Sequence, residues 1–264
     1  MYFEGYGPYQ ADPQFTPTPP GVAAKVAALP SRAAAGALEI VWRDRVAAAL
    51  DDFYAAPAGG ALLDYGCGST AFLDRAAAAG WRTVGADFSS AIVDAVATHG
   101  HRAVLVGASF DAEVEDASID RARMNHVIEH LYDPGAALRA IHTKLKPGGL
   151  IHIATPNPEA FGSALFGTRW FALDCPRHAI MFPPHALSRL SVACGFSDPV
   201  VLHEVGPKDL SRSIGIVRYE RGRLAHEQIA GLAAERYRAM ALALPSKVAA
   251  LAGRADRFHL LARA

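Results

Sequence analysis

The sequence predicts an α/β protein in which a mostly parallel β-sheet carries helices on both faces. Two observations predict this class. Short apolar runs alternate with amphipathic segments along residues 58–154, and a glycine turn follows the first apolar run. The chain has 264 residues, which is enough for one such domain with a sizeable core and at most a small appendage.

The elements follow from apolar periodicity and from the residues that end each run. Glycines such as Gly80 and Gly100 close helical segments, and acidic residues follow the first two strands. The predicted strands comprise residues 61–63, 83–86, 103–106, 119–124, 150–154, 200–205 and 258–262. The predicted helices comprise residues 72–79, 89–98, 133–145, 184–194 and 224–244. The fourth strand is the weakest of these, because Arg121 and Arg123 interrupt its apolar run.

The chain divides into two predicted parts. Residues 1–57 read as an aromatic N-terminal tail followed by cap helices, with apolar residues at helical spacing up to residue 50. Residues 58–264 form the main domain, with a helical insertion at about 206–255. Whether that insertion shapes a ligand site or a homodimer contact is left open.

Composition excludes several partners. Lys+Arg and Asp+Glu are equal at 26 each, so the chain lacks the basic surplus typical of proteins that bind nucleic acid or anionic membranes. No uncharged apolar stretch reaches the length that spans a bilayer, and the N-terminus does not resemble a secretory leader. The three cysteines form neither a disulfide framework nor a zinc pattern, and we therefore expect a cytoplasmic protein.

The turn after the first strand indicates a nucleoside-containing cofactor. Gly66, Cys67 and Gly68 open a segment that fits G-x-G-x-x-G/A, between a strand and a helix. Asp87 ends the next strand about twenty residues later, where a carboxylate accepts hydrogen bonds from ribose hydroxyls. Asp64 stands two residues before Gly66, where it opposes the pyrophosphate of a dinucleotide but suits the ammonium and sulfonium of S-adenosylmethionine. A role for Asp64 in capping the loop is the alternative.

Five segments in order resemble the class I S-adenosylmethionine-dependent methyltransferases, in particular the quinone-biosynthesis-like and small-molecule branch. They are LLDYGCGS (62–69), VGADFS (84–89), NHVIEHLYDP (125–134), LKPGGLIHIATPN (145–157) and PRHAIMFPPHALSRLSVACGF (176–196). The resemblance implies a Rossmann-like, seven-stranded sheet whose last strand is antiparallel. This sequence departs from the family pattern at two places. Thr70 stands where a third glycine is frequent, and the segment after the third strand lacks the acid that often binds adenine.

The resemblance also implies the cofactor contacts. Ser109 and Phe110 are expected to replace the missing acid at the adenine, with Phe110 packing on the ring. The complete predicted set for S-adenosylmethionine is Asp64, Gly66, Cys67, Gly68, Asp87, Phe88, Ser109, Phe110, Asn125 and His126.

Three residues are candidates for catalysis: His126, Glu129 and His178. The first two follow the fourth strand and the third lies in the loop beyond the fifth, at the sheet edge where α/β proteins bind ligands. A hydroxyl or phenol acceptor gains from a general base, for which His126 or His178 is suited. Alternatively, Glu129 and His130 only cap a helix. No metal site is predicted, because Cys175 with His178 lacks two further ligands.

The leading function is therefore transfer of a methyl group to a small molecule, most favourably to a hydroxyl or phenol in natural-product, sugar or quinone metabolism. An NAD-dependent oxidoreductase and a non-catalytic cofactor-binding regulator are the alternatives. A nucleic-acid methyltransferase is disfavoured by the neutral charge and by the sequence at 125–128. The aromatic segment 161–171 either walls an acceptor pocket or covers the sheet edge.

Overall fold

One seven-stranded sheet organises the protein. The computed structural model describes residues 46–205, 207–220 and 248–264. The strands are β1 (Ala61–Tyr65), β2 (Arg82–Asp87), β3 (Arg102–Leu105), β4 (Ile119–Asn125), β5 (Leu145–Pro156), β6 (Ser197–Glu204) and β7 (Arg257–Arg263). Their spatial order is β3-β2-β1-β4-β5-β7-β6. Among these seven described strands only β7 runs antiparallel to its neighbours, so the predicted fold class is confirmed.

Helices connect and flank these strands. The described α-helices are α1 (46–54), α2 (Ala71–Ala78), α3 (Ser90–Thr98), α4 (Ala108–Glu113), α5 (Pro134–Lys144), α6 (Phe161–Phe166), α7 (Pro184–Ala193), α8 (Pro207–Glu220) and a short turn at 248–251. Single turns of 3₁₀ helix comprise Ile128–His130, Gly167–Arg169 and Phe171–Leu173. No helix among these described elements is long and apolar enough to cross a membrane.

Local sequence explains where α5 begins. Asp133 is its N-cap and its carboxylate accepts the Ala136 N–H at 2.8 Å, while Pro134 occupies the first helical position. Such a cap stabilises a helix by about 1 kcal/mol. Leu138 and Ile141 are fully buried against the sheet, so α5 holds the segment after β4 in place.

The two faces of the sheet differ in chemistry. Leu63, Ala122 and Ile151 are register partners across β1, β4 and β5, and all three are completely buried in the main apolar core. One residue further along each strand lie Asp64, Arg123 and His152, again as register partners. Successive side chains of a strand point to opposite faces, so these polar residues share the other face.

That second face carries a continuous polar row, defined here as Asp64, Arg123, His152, His259 and Glu204. Nε2 of His152 lies 2.9 Å from Nδ1 of His259, whose Nε2 lies 3.0 Å from the Glu204 carboxylate. The phenol of Tyr54 on α1 lies 2.6 Å from Nδ1 of His152. Helix α1 therefore covers the row with a polar contact as well as with the buried Phe53 ring.

The structure corrects several element predictions. Strand β5 begins at Leu145, because the 147–149 turn stays within the strand as an irregularity in its pairing with β4. Ser89 is the N-cap of α3 but makes no side-chain capping bond; its N–H donates to Asp87 instead. Helices α4, α6 and α8 were not individually predicted. The N-terminal tail and the whole of the predicted 224–244 helix lie outside the described residues, so the domain boundaries stay predictions.

Candidate active site

The glycine turn between β1 and α2 lies at the point where the sheet order reverses, with β4 on the other side of β1. Gly66 and Gly68 have φ values of +73° and +63°, a region that side chains rarely adopt. A Cβ on Gly66 would come within 2.5 Å of Cγ2 of Val127, so the turn is packed directly against the segment after β4. Thr70, in contrast, has φ −82° as the N-cap of α2 and needs no glycine.

Asp87 stands at the end of β2 and supports this turn. One carboxylate oxygen accepts the Gly68 N–H at 2.9 Å and the other accepts the Ser89 N–H at 3.0 Å. Burial raises the pKa of Asp87 above its usual value, although these N–H groups act in the opposite direction. Each ionised oxygen retains a lone pair, so the position fits the two hydroxyls of a ribose.

The remaining predicted cofactor residues differ in accessibility. Phe88 is 37% exposed, whereas Phe110 is 3% exposed and packs edge-on against Tyr65 in the core. Phe88 is therefore the aromatic side chain with surface free to meet an adenine, and the expectation for Phe110 is corrected. Ser109 lies on α4, but its side chain is outside what the structure describes. Asn125 is partly buried at the end of β4.

Cys67 forms the middle of the glycine turn and is partly buried. Burial raises the pKa of the Cys67 thiol far above its usual range, and the nearby carboxylates of Asp64 and Asp87 act in the same direction. The thiol is therefore neutral at physiological pH, which fits a small turn residue and not a nucleophile.

Asp64 has a partner that the sequence argument overlooked. Its carboxylate is completely buried, and both oxygens accept from Nη1 of Arg123, at 2.8 and 3.0 Å. The charge of Asp64 is thus balanced by a cation from β4, although no Lys or Arg lies close to it in sequence. The arginine that interrupts the apolar run of β4 does so because it serves this ion pair.

On the acceptor side of the site, His126 directly follows the last residue of β4 and has φ +55°. Its Nδ1 lies 3.1 Å from one Glu129 oxygen, and the other Glu129 oxygen accepts from the Thr155 hydroxyl at 3.0 Å. Glu129 and Thr155 are completely buried, whereas the His126 side chain is 34% exposed. The structure therefore places a histidine at the site edge whose orientation is fixed by a buried carboxylate.

The ionisation of Glu129 follows from these contacts. Burial alone would raise its pKa, but the hydrogen bond and charge of His126 outweigh burial, so the pKa lies below its ordinary value. When the His126 imidazole is neutral, an ionised Glu129 accepts its Nδ1 proton, and Nε2 keeps a free lone pair. This arrangement suits a general base whose tautomer and direction are set by a carboxylate.

His178 and His130 lie beside this pair. The Nδ1 atoms of His178 and His130 lie 2.8 Å and 3.0 Å from the carbonyl oxygens of Ala172 and Arg177 respectively. The Glu129 carbonyl in turn accepts the N–H groups of residues 179 and 180, so the loop carrying His178 docks on the Ile128–His130 turn. Burial lowers the pKa of His178, so this imidazole is neutral near pH 7.

The same residues form a group of metal-ligand type. One ligand atom from each of Glu129, His130 and His178 lies within 4.8 Å of the others. Both imidazoles direct Nδ1 at a backbone carbonyl, which leaves Nε2 available, although the Glu129 oxygens already accept from His126 and Thr155. In the sequence, such a group could have been predicted from His130 and His178 considered together. The exposed Cys175, which was considered with His178 as a metal ligand, is not part of this group.

The aromatic segment after β5 forms a small core of its own. Trp170 is 2% exposed and packs with Ala160 and Ala172, while Phe171 lies under the Arg212 guanidinium of α8, 4.6 Å from ring centroid to Cζ. The segment thus covers the sheet edge with one side. Since the carbonyl of Ala172 faces His178, it also borders the acceptor side of the site.

Comparison with known proteins identifies the class. A family model described as a methyltransferase domain matches residues 38–199, which is more than half of the chain. The chain therefore belongs to the class I S-adenosylmethionine-dependent methyltransferase family. This membership confirms the predictions of the enzyme class and of S-adenosylmethionine as the family's cofactor.

Two curated proteins that are similar in sequence to this chain carry the same name. The chain is 32% identical over 149 residues to a ubiquinone biosynthesis O-methyltransferase of Xanthomonas oryzae pv. oryzae, a match that covers 53% of this chain and 60% of that protein. It is 31% identical over 144 residues to the enzyme of the same name from Cereibacter sphaeroides, covering 51% and 58%. The chain thus spans less than two thirds of the length of these relatives.

Solved structures share the fold at lower identity. A SAM-dependent methyltransferase from Archaeoglobus fulgidus superposes with a TM-score of 0.52 at 20% identity, covering 86% of this chain and 97% of that one. The [4+2]-cyclase SpnF superposes equally well, with a TM-score of 0.52 at 20% identity, covering 83% and 80%. These similarities show the fold alone, and the cyclase illustrates that one fold hosts different reactions.

Proposed function

We propose that this protein transfers a methyl group from S-adenosylmethionine to a hydroxyl or phenol oxygen of a small molecule. The observation that carries the proposal is the hydrogen-bonded series His126–Glu129–Thr155 at the ends of β4 and β5. The name of the curated relatives, ubiquinone biosynthesis O-methyltransferase, supports oxygen as the methylated atom. Natural-product, sugar or quinone metabolism is the proposed setting, in the cytoplasm.

Residues of the β1–β2 side would hold the cofactor. Gly66 and Gly68 allow the backbone to approach it, Asp87 accepts from the ribose hydroxyls, and Phe88 offers an exposed ring for the adenine. When bound, S-adenosylmethionine supplies an electrophilic methyl group on a cationic sulfur. The protein needs to add only alignment, exclusion of water and removal of the acceptor proton.

His126 removes that proton. Its Nε2 accepts the proton of the acceptor hydroxyl, while Glu129 stabilises the resulting imidazolium through Nδ1. Thr155 donates to the second oxygen of Glu129, which keeps the carboxylate directed at His126. The neutral His178 is the second candidate for the base, and its docked loop also borders the acceptor.

A direct test uses purified protein, methyl-labelled S-adenosylmethionine and a panel of phenols, catechols, sugars and amines. The proposal predicts labelled methyl ethers from at least one hydroxyl compound, identified by mass spectrometry, and no reaction of amines of similar shape. Transfer only to nitrogen or carbon would contradict the choice of oxygen. Tight cofactor binding without transfer to any acceptor would favour the non-catalytic regulator instead.

A further inference from the structure

The ion pair beneath the glycine turn has a consequence for ligand selection. Asp64 is the next-to-last residue of β1 and lies two residues before Gly66, and its carboxylate is completely buried. A single nitrogen of Arg123 donates to both of its oxygens. The carboxylate is therefore not a free negative charge facing the site, since a cation lies within 3 Å of it.

Arg123 is held in this position from several sides. Its Cζ lies 4.0 Å from the centroid of the Phe72 ring on α2, and its positive charge acts on the Tyr54 phenol, whose pKa it lowers against the larger effect of burial. The Tyr54 phenol in turn lies 2.6 Å from Nδ1 of His152, so Tyr54 connects the surroundings of Arg123 to the polar row. The buried charges beneath the turn therefore comprise one negative group, Asp64, paired with one positive group, Arg123.

We propose that Arg123 sets the relative affinity of the protein for S-adenosylmethionine and S-adenosylhomocysteine by cancelling the charge of Asp64. This inference rests on the proposed function, which places the cofactor at the Gly66–Gly68 turn. Substrate and product differ by one methyl group and one positive charge on sulfur. An unbalanced Asp64 would favour the cationic substrate, whereas the balanced pair leaves the two ligands nearly equal.

The pair also explains why the protein carries an acid beneath the turn and still binds the product, which lacks the positive charge on sulfur. An effective dielectric constant of about 20 applies to such partly buried charges, and an unbalanced unit charge within about 12 Å then changes affinity by roughly tenfold or more. With both charges present, most of this effect is lost.

Four proteins test the inference by calorimetric titration with each ligand separately. Asp64→Asn leaves Arg123 unbalanced and positive, so the ratio of the two dissociation constants should move about tenfold in favour of S-adenosylhomocysteine. The double variant Asp64→Asn/Arg123→Met removes both charges and should return the ratio to within about twofold of the wild type. Because both ligands share every other contact, the ratio is insensitive to general damage to the site.

Asp120→Asn is the matched control. Asp120 is also a strand carboxylate paired with a cation, Lys146, but it lies at the opposite end of β4, so the ratio should not change. Thermal unfolding checks each variant. If Asp64→Asn does not fold, the double variant is compared with the wild type directly, and equal ratios are still required.

The outcomes separate the inference from the proposed function. A double variant that favours the product as strongly as Asp64→Asn would overturn the inference, as would a ratio unchanged in Asp64→Asn. Wild-type protein that binds neither ligand would instead contradict the proposed function. A restored ratio in the double variant supports the role of Arg123.

Discussion

Replacement of His126 by Asn gives the sharpest test of the proposed base. Position 126 has φ +55°, a conformation that Asn tolerates better than most residues, and the Asn amide retains a donor for Glu129. The change removes the Nε2 lone pair while disturbing the backbone little. A positioned general base contributes about 10²- to 10⁴-fold to a rate, so kcat/KM for a phenol should fall at least about 100-fold.

The dependence on the acceptor distinguishes a base from a structural residue. A phenol that is already ionised at the assay pH needs no base, so the loss caused by His126→Asn should shrink as the acceptor pKa falls below that pH. Initial rates of methyl transfer over a series of substituted phenols measure this. His99→Asn, which alters an exposed imidazole at the C-terminal end of α3, is the control. An equal loss for every phenol would refute the assignment of His126 as the base.

Three further predictions concern the turn, the polar row and the metal-type group. Gly66→Ala should weaken binding of S-adenosylmethionine at least about tenfold, because the left-handed conformation costs about 1–2 kcal/mol and the alanine Cβ would lie 2.5 Å from the Val127 side chain. Gly100→Ala is the control, since Gly100 has φ +84° but no atom lies within 4 Å of an added Cβ. This variant should lose only the stability that the backbone strain costs, and its calorimetric affinity for S-adenosylmethionine should not change. Burial holds the pKa of His152 well below 6.5, so the unfolded chain binds more protons below that pH and stability falls as the solution is acidified, by about 1.4 kcal/mol per pH unit for this residue. The free energy of unfolding, measured with urea between pH 5 and 7.5, should depend less steeply on pH in His152→Gln than in the wild type. An equal dependence on pH in the two proteins would contradict the reasoning. If acid–base chemistry alone operates at Glu129, His130 and His178, incubation with a chelator should leave methyl transfer unchanged, whereas loss of activity restored by a divalent cation would assign a metal to that group.

Much of the fold could be predicted from local patterns. The glycine turn, the acid at the end of β2 and the Asp133–Pro134 start of α5 each have a local physical cause, and all lie where the sequence places them. The antiparallel last strand came from the family resemblance, since nothing in residues 258–262 alone distinguishes it from a parallel strand. Pairing partners of a strand are set by tertiary contacts that a short apolar run does not encode.

The interactions that were missed are all between residues distant in sequence. Arg123 interrupts the apolar pattern of β4, and the local sequence gives no reason for it because its partner, Asp64, lies 59 residues away. Asp209 on α8 likewise pairs with Arg257 on β7, 48 residues apart, which helps to fix a helix that the pattern did not reveal. The sequence did contain one signal of this ion pair. Arg121 and Arg123 occupy alternate positions of a buried strand, so both side chains point to the same face of the sheet, where they need polar partners.

The site was predicted best where chemistry and local geometry coincide. His126 and Glu129 are three residues apart, and a single turn after β4 is enough to bring them together. Phe110 was misjudged because an aromatic residue after a strand can face either the ligand or the core, and only the packing against Tyr65 decides between them.

The most direct test of the account is calorimetric titration of the wild-type protein and of Asp87→Asn with S-adenosylmethionine and, separately, with NAD. Asn can supply only one acceptor oxygen where the two Asp87 oxygens now hold Gly68 and Ser89 and face the ribose site. The account predicts saturable binding of S-adenosylmethionine alone, weakened at least about tenfold in the variant. Binding of NAD in its place, or equal affinity of both proteins for S-adenosylmethionine, would contradict the assignment of this turn as the cofactor site.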